Sequence, residues 1–286
     1  MKAFFKPVIL ILFVCTTLQS WAQNQVYEPL KKTDPKSWSM VLLPDPQSYG
    51  KFGRNQGVFE LMTAWVSENI DSLNIQMVLC TGDLVEQNNL LNPNVKAGNQ
   101  SSAAQWKSVA QAFNRLDGRV PYIAATGNHD YGFVSAENRD TFYDQYFPVD
   151  KNILSQKLLK EAGTNAKGDP SLVNASYEMV SPYGQKLLFL VLEFAPRNET
   201  LVWAEKVINL PKYKDHQVIL LTHSYLNSKN QHIEKEGYPL ADANYGAAVF
   251  NKLVKPSKNI RMVFSGHIGE PNSARGHVGF KTDVNA

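Results

Sequence analysis

The chain has 286 residues, 43% of them hydrophobic and 19% charged, with 17 Gly, 15 Pro, 14 Phe, 12 Tyr and 5 Trp. That balance excludes collagen-like, low-complexity and disordered chains and leaves one domain of roughly 250 residues or two small ones. The net charge is only +3 and no basic run or stripe is visible, so no nucleic-acid-binding surface is expected.

Residues 1–22 read as an address. Lys2 and Lys6 precede the apolar run Val8–Val14, polar residues come next, and Ser20-Trp21-Ala22 offers small residues at −3 and −1 of a cleavage site. This is the layout of a secretory signal peptide cleaved near Ala22, and it predicts a secreted or periplasmic protein. The run is shorter than the ~20 apolar residues a spanning helix needs, and no later stretch is long enough to cross a bilayer. Removal of the signal leaves Cys80 as the only cysteine, which rules out an intrachain disulfide. Cys80 lies in the apolar run Met77–Thr81, where a small buried hydrophobe is the expected role.

Along the remaining 23–286, read as a single domain, short apolar runs alternate with helix-period segments. Ser39–Leu43, Met77–Thr81, Tyr122–Thr126, Leu187–Phe194, Gln217–Thr222 and Arg261–Ser265 are predicted strands. Val58, Leu61, Met62, Trp65, Val66 and Ile70 recur at helical spacing. A second helix shows Ser102 with Gln105 as a capping box and Trp106, Val109, Ala110, Phe113 and Leu116 on one face. Thr200–Leu210 and Tyr245–Leu253 are weaker helices. Asn88–Ser101 reads as a surface loop, and residues 132–170 as an insertion beside the main sheet. Alternation of this kind predicts a layered α/β domain.

The residues that can do chemistry stand just past the strand ends. The first strand runs into Asp45-Pro46-Gln47, the second into Gly82-Asp83, and the third into Gly127-Asn128-His129-Asp130. The fifth ends at His223, and the sixth at Gly266-His267. In open α/β sheets the carboxyl ends of strands are where ligands bind. Each piece alone is a common turn or a structural histidine; five in order at one sheet edge point to a site. Carboxylate, amide and imidazole donors together suit Mn, Fe, Zn or Mg better than a thiolate site would. Two such ions can clamp both in-line oxygens of a phosphoryl displacement.

This ordered set resembles the calcineurin-like metallophosphoesterase superfamily, whose blocks run Asp-x-His, Gly-Asp-x-x, Gly-Asn-His-Asp/Glu, His and Gly-His-x-His. The resemblance covers Ser39 to Gly269. It implies two facing β-sheets with helices outside, a four-layer α/β/β/α fold. It implies two divalent ions, with Asp83 bridging them, Asp45 and Gln47 serving the first, and Asn128, His223 and His267 the second. His129 is then the general acid and Asp130 orients it. The implied activity is hydrolysis of a phosphoric monoester or diester, small or macromolecular, by a metal-activated hydroxide attacking in line.

The chain departs from that pattern at the first ion. Asp-x-His has become Asp45-Pro46-Gln47, and Gly-His-x-His has become Gly266-His267-Ile268-Gly269, so two imidazoles are replaced. Glu86 and His277 are candidate substitutes, beside their plainer readings as a solvated carboxylate and an exposed hairpin residue. Only 17 residues come after Gly269. Relatives complete a sheet beyond that block, so either the fold is trimmed at its C-terminus or the sequence is a piece. Arg197 is either a phosphate clamp or a surface arginine before a helix. Tyr49, Tyr131 and Tyr225 are candidate pocket residues, and Asn198-Glu199-Thr200 fits a glycosylation triplet. The competing function is a non-catalytic metal- or ligand-binding protein that kept the fold and lost its first ion. A serine hydrolase is excluded by the lack of a Gly-x-Ser-x-Gly elbow.

Overall fold

The computed structural model describes residues 30–93, 98–269 and 279–285. The signal segment and His277 lie outside them. All six expected strands form: β1 (Ser39–Leu43), β2 (Ile75–Cys80), β3 (Tyr122–Ala124), β6 (Lys186–Val191), β7 (Gln217–Leu221) and β8 (Ile260–Phe264). Two more stand between them, β4 (Leu159–Thr164) and β5 (Pro170–Val180).

The strands make two sheets. One has the order β1-β2-β3 and is wholly parallel. The other has the order β4-β5-β6-β7-β8, antiparallel across β4, β5 and β6 and parallel from β6 to β8. The reading of 132–170 as an insertion beside the sheet is therefore corrected, because its last part is β4, an edge strand of the larger sheet. Lys160, Glu161 and Thr164 are exposed there, which hides the strand from an apolar-run criterion.

The helices are α1 (Gln47–Gly50), α2 (Gln56–Glu68), α3 (Ile70–Leu73), α4 (Ser102–Asn114), α5 (Tyr143–Tyr146), α6 (Ile153–Leu158), α7 (Asn198–Ile208) and α8 (Gly246–Val249). A wider helical turn, Phe250–Val254, continues α8. Three apolar clusters define the layers. Met77 and Leu79 of β2 and Ile123 of β3 meet Tyr177, Phe189 and Ile219 of the larger sheet, so the two sheets face each other. Phe59 of α2 and Trp106 and Phe113 of α4 cover the outside of the small sheet. Leu201, Ala204 and Ile208 of α7, with Val249 and Leu253, cover the outside of the large one. The result is the expected four-layer α/β/β/α stack, with Cys80 buried in its core.

Two local expectations shift. Helix α2 buries Phe59, Thr63 and Val66, whereas Val58, Leu61 and Trp65 are exposed. Its inner face is phased by Phe59, which stacks on Tyr49 and meets Phe113 edge-on. The cap of α4 is Ser101, not Ser102: its hydroxyl accepts from Ala104 N. Ser102 Oγ instead accepts from Leu90 N at 2.6 Å, and Gln105 Oε1 accepts from Glu86 N at 2.8 Å. Both tie the 88–101 loop and the end of β2 to the helix.

Candidate metal centre

Parallel β1, β2 and β3 and parallel β6, β7 and β8 send their carboxyl ends to one edge, where the loops after them meet. Two glycines permit the approach. A Cβ on Gly127 would collide with the Asp83 carboxylate, and one on Gly266 with that of Asp45. Asp83 and His267 themselves hold positive φ, 48° and 73°. Left-handed backbone at such residues costs on the order of 1–3 kcal/mol and persists where surrounding contacts enforce it.

Four side chains converge. His267 Nδ1 lies 2.9 Å from Asn128 Oδ1 and 3.3 Å from His223 Nε2. His223 Nε2 lies 3.2 Å from Asn128 Oδ1 and 3.3 Å from Asp83 Oδ2. The remaining ring nitrogens are already engaged. His223 Nδ1 donates to Thr81 O at 2.8 Å, and His267 Nε2 donates to Glu236 Oε1 at 2.5 Å. In neutral rings with those tautomers, the inward nitrogens carry lone pairs. Two imidazole lone pairs, an amide oxygen and a carboxylate oxygen thus face one point, an arrangement that only positive charge makes favourable. His223 registers the same demand. Burial disfavours its charged form, yet the Asp83 and Asp45 carboxylates push its pKa up to about 10. Asp83, conversely, is held below the ordinary carboxylate value: burial opposes this most strongly of any one cause, but the His223 charge and hydrogen bond and the contacts from His129 together outweigh it. Among the described residues, Asp83, His223 and His267 bring three ligand atoms within 4.8 Å of one another.

The first-ion residues lie alongside. Asp45 Oδ1 accepts from Thr81 Oγ1 at 2.5 Å, and Oδ2 from the backbone N of His267 at 2.8 Å. Gln47 opens α1, and its backbone N donates to Asp83 O at 2.9 Å. Its Oε1 is buried without a hydrogen-bond partner among the described residues. A buried, unpaired amide oxygen is costly, and coordination to a cation would satisfy it. The donor set therefore fits divalent ions: a mixed nitrogen and oxygen group at Asn128, His223 and His267, and an oxygen-rich one at Asp45 and Gln47.

His129 sits beside this cluster. Its backbone N donates to Asp83 Oδ1 at 2.9 Å, and its Nδ1 to Glu86 O at 2.8 Å. The tautomer is thereby fixed with the proton on Nδ1. Asp130, expected to orient this imidazole, does something else, and that expectation is corrected. Its oxygens accept from Gly127 N at 2.8 Å and Val85 N at 3.1 Å, so it shapes the loop that presents Asn128 and His129. Burial and the Asp83 charge push its carboxyl up to about 8, against the opposing backbone N–H groups.

Other candidates do not join the converging group. The Glu86 carboxylate pairs with Lys51 at 3.2 Å. Arg197 is buried, with Nε on Glu193 Oε1 at 2.8 Å and Nη2 on Thr164 O at 2.7 Å, so it ties α7 to β4 and clamps no phosphate. Tyr49, Tyr131 and Tyr225 pack in apolar clusters. The Asn198 amide is tied to Asp242. Glu236, which no sequence motif marks, is the addition, with its second oxygen accepting from Ser224 Oγ at 2.7 Å.

A family model described as calcineurin-like phosphoesterase matches residues 41–271, spanning every ligand block. The chain belongs to that family. The uncharacterized protein YvnB of Bacillus subtilis (strain 168) is 27% identical over 233 residues, covering 80% of this chain. This phosphoesterase domain spans only 15% of that relative's length. Among solved structures, a dimetal phosphatase from Danio rerio is similar at TM-score 0.41 and 12% identity, covering 66% of this chain and 70% of that one. Among the described residues of the phosphoesterase chain, no helix is long and apolar enough to cross a membrane.

Proposed function

We propose that this chain is an exported, metal-dependent hydrolase of phosphoric mono- or diesters that works with two divalent ions. The observation that carries the reading is the convergence of Asp83 Oδ2, Asn128 Oδ1, His223 Nε2 and His267 Nδ1, with His129 fixed to the other oxygen of the same Asp83. Export rests on the sequence of residues 1–22.

Asp83, Asn128, His223 and His267 would hold one ion, and Asp45, Gln47 and Asp83 the other. When bound, the ions supply an activated water nucleophile and neutralise phosphate charge. The chain's own residues do the rest. Asp83 sets the distance between the two groups of ligands and, through the His129 backbone, the place of the imidazole. Because Nδ1–H is spent on Glu86 O, His129 meets a leaving oxygen through Nε2. As the imidazolium it passes the Nε2 proton to the departing alkoxide.

A second reading, a metal-binding protein without turnover, is favoured by Asp45, whose two oxygens are both hydrogen-bonded within the chain. Assay of the purified protein on a nitrophenyl monoester and diester with Mn, Mg, Zn and Fe separates the two. Metal-stimulated hydrolysis that Asp83→Asn abolishes is expected; a metal-loaded protein inert on both esters selects the binder.

A further inference from the structure

The two inward-facing imidazoles are held from behind in different ways. His223 is fully enclosed, and its outer nitrogen donates to a neutral backbone carbonyl, Thr81 O. His267 lies beyond β8 at positive φ, and its side chain remains 13% exposed. Its outer nitrogen donates to a carboxylate, Glu236 Oε1, at 2.5 Å, and the other Glu236 oxygen accepts from Ser224 Oγ at 2.7 Å. Ser224 is the residue next to His223 in the chain. A chain of contacts therefore runs from the end of β7 through Ser224 and Glu236 to the back of the His267 ring.

We infer that Glu236 is a positioning residue for His267, fixing the tautomer and aim of the His267 imidazole and strengthening its Nδ1 as a metal donor. Glu236 is no ligand itself, since the ring stands between its carboxylate and the point that Asn128 Oδ1 and His223 Nε2 share. A carboxylate behind a ligating histidine raises the basicity of the inward nitrogen and removes the rotational freedom of the ring. His267 is less enclosed than His223, so its ring depends more on that support. Ser224 holds the carboxylate in turn, so the two imidazoles are oriented as a unit.

The assignment rests on the proposed metal centre, and one titration separates the failure of either. The probe is Co2+, followed by calorimetry and by its d–d absorption in the parent, Glu236→Gln and Ser224→Ala. Glu236→Gln keeps the size of the side chain and removes its charge. Its Co2+ affinity is expected to fall ~10–100-fold, the range for loss of a supporting partner, with a shifted d–d spectrum. Ser224→Ala is expected to fall less. The metal-free proteins should melt within about 1 °C of one another, under the ~2–4 °C shift that marks a structural loss in a domain of this size. Unchanged affinity and spectrum in Glu236→Gln, beside a parent that binds, overturns the role of Glu236 alone. So does a loss of affinity matched by a large fall in the melting point of the metal-free protein. A parent that takes up no Co2+ overturns the centre and this assignment together.

Discussion

Asp83 is the most constrained side chain of the site: buried, at positive φ, with one oxygen on the His129 backbone and the other toward His223. If it bridges the two ligand groups as proposed, removing its charge takes away their shared anion, so Asp83→Asn should lose bound metal and hydrolysis together. A variant with parental metal content and turnover contradicts the bridging role. His129 differs in the proposed mechanism, where it would add a proton rather than a ligand. His129→Ala should lower turnover ~10²–10⁴-fold on alkyl esters, the usual size of general-acid catalysis. On a nitrophenyl ester, whose phenolate leaves unprotonated, the loss should be much smaller, and metal content should hardly change. Equal losses on both esters would leave His129 only a positioning part.

At the scale of elements, the loop after Asn128 is held by a compact anion turn. Glu137 accepts from the backbone N of Phe133, Val134 and Ser135 at 2.9–3.2 Å, and Ser135 Oγ accepts from Asn128 Nδ2 at 2.9 Å. Burial is the largest single influence and disfavours the Glu137 charge, but the backbone N–H groups together outweigh it and lower its pKa overall. A depressed folded pKa stabilises the protein above the unfolded value, about 4.3, and that stabilisation is lost as pH falls through the folded value. Glu137→Gln should therefore cost stability at pH 7, under about 1 kcal/mol because the group is exposed to screening. The gap between variant and parent should close in acid below the unfolded value. Denaturant melts at pH 7 and at low pH check this, and a gap that persists or widens in acid contradicts it. Strands and helices were legible where apolar periodicity was strong, as in β2, β6 and α4. They were not where packing had to decide. β4 is polar because it lies at a sheet edge, and α2 turned toward Phe59 because Tyr49 and Phe113 stand there.

For the whole molecule, the candidate site was readable because its residues sit at strand ends beside glycines that close contact requires, a pattern local in sequence. The partners that orient those ligands were not readable. Glu236 lies 13 residues after His223 in a segment without regular structure, and only the fold brings it behind His267. The carbonyl of Glu86, which sets the His129 tautomer, belongs to the backbone, where side-chain identity carries no signal. The departures from the family pattern also act at this scale, because both fall on the ligand set proposed for one ion. On the proposed assignment, Asp83, Asn128, His223 and His267 would offer one ion two imidazoles and two oxygens, whereas Asp45, Gln47 and Asp83 would offer the other oxygen alone. Oxygen donors favour Mn or Mg, and fewer donors lower affinity.

Counting ions by calorimetry and elemental analysis, with turnover measured as Mn is added, puts this asymmetry to the test. One tightly held ion per chain is expected as purified, with activity that rises as a second, harder ion binds. His223→Ala should strip the tight ion, and Gln47→His should tighten the loose one. Two equally tight ions, with turnover indifferent to added metal, would contradict the asymmetric centre.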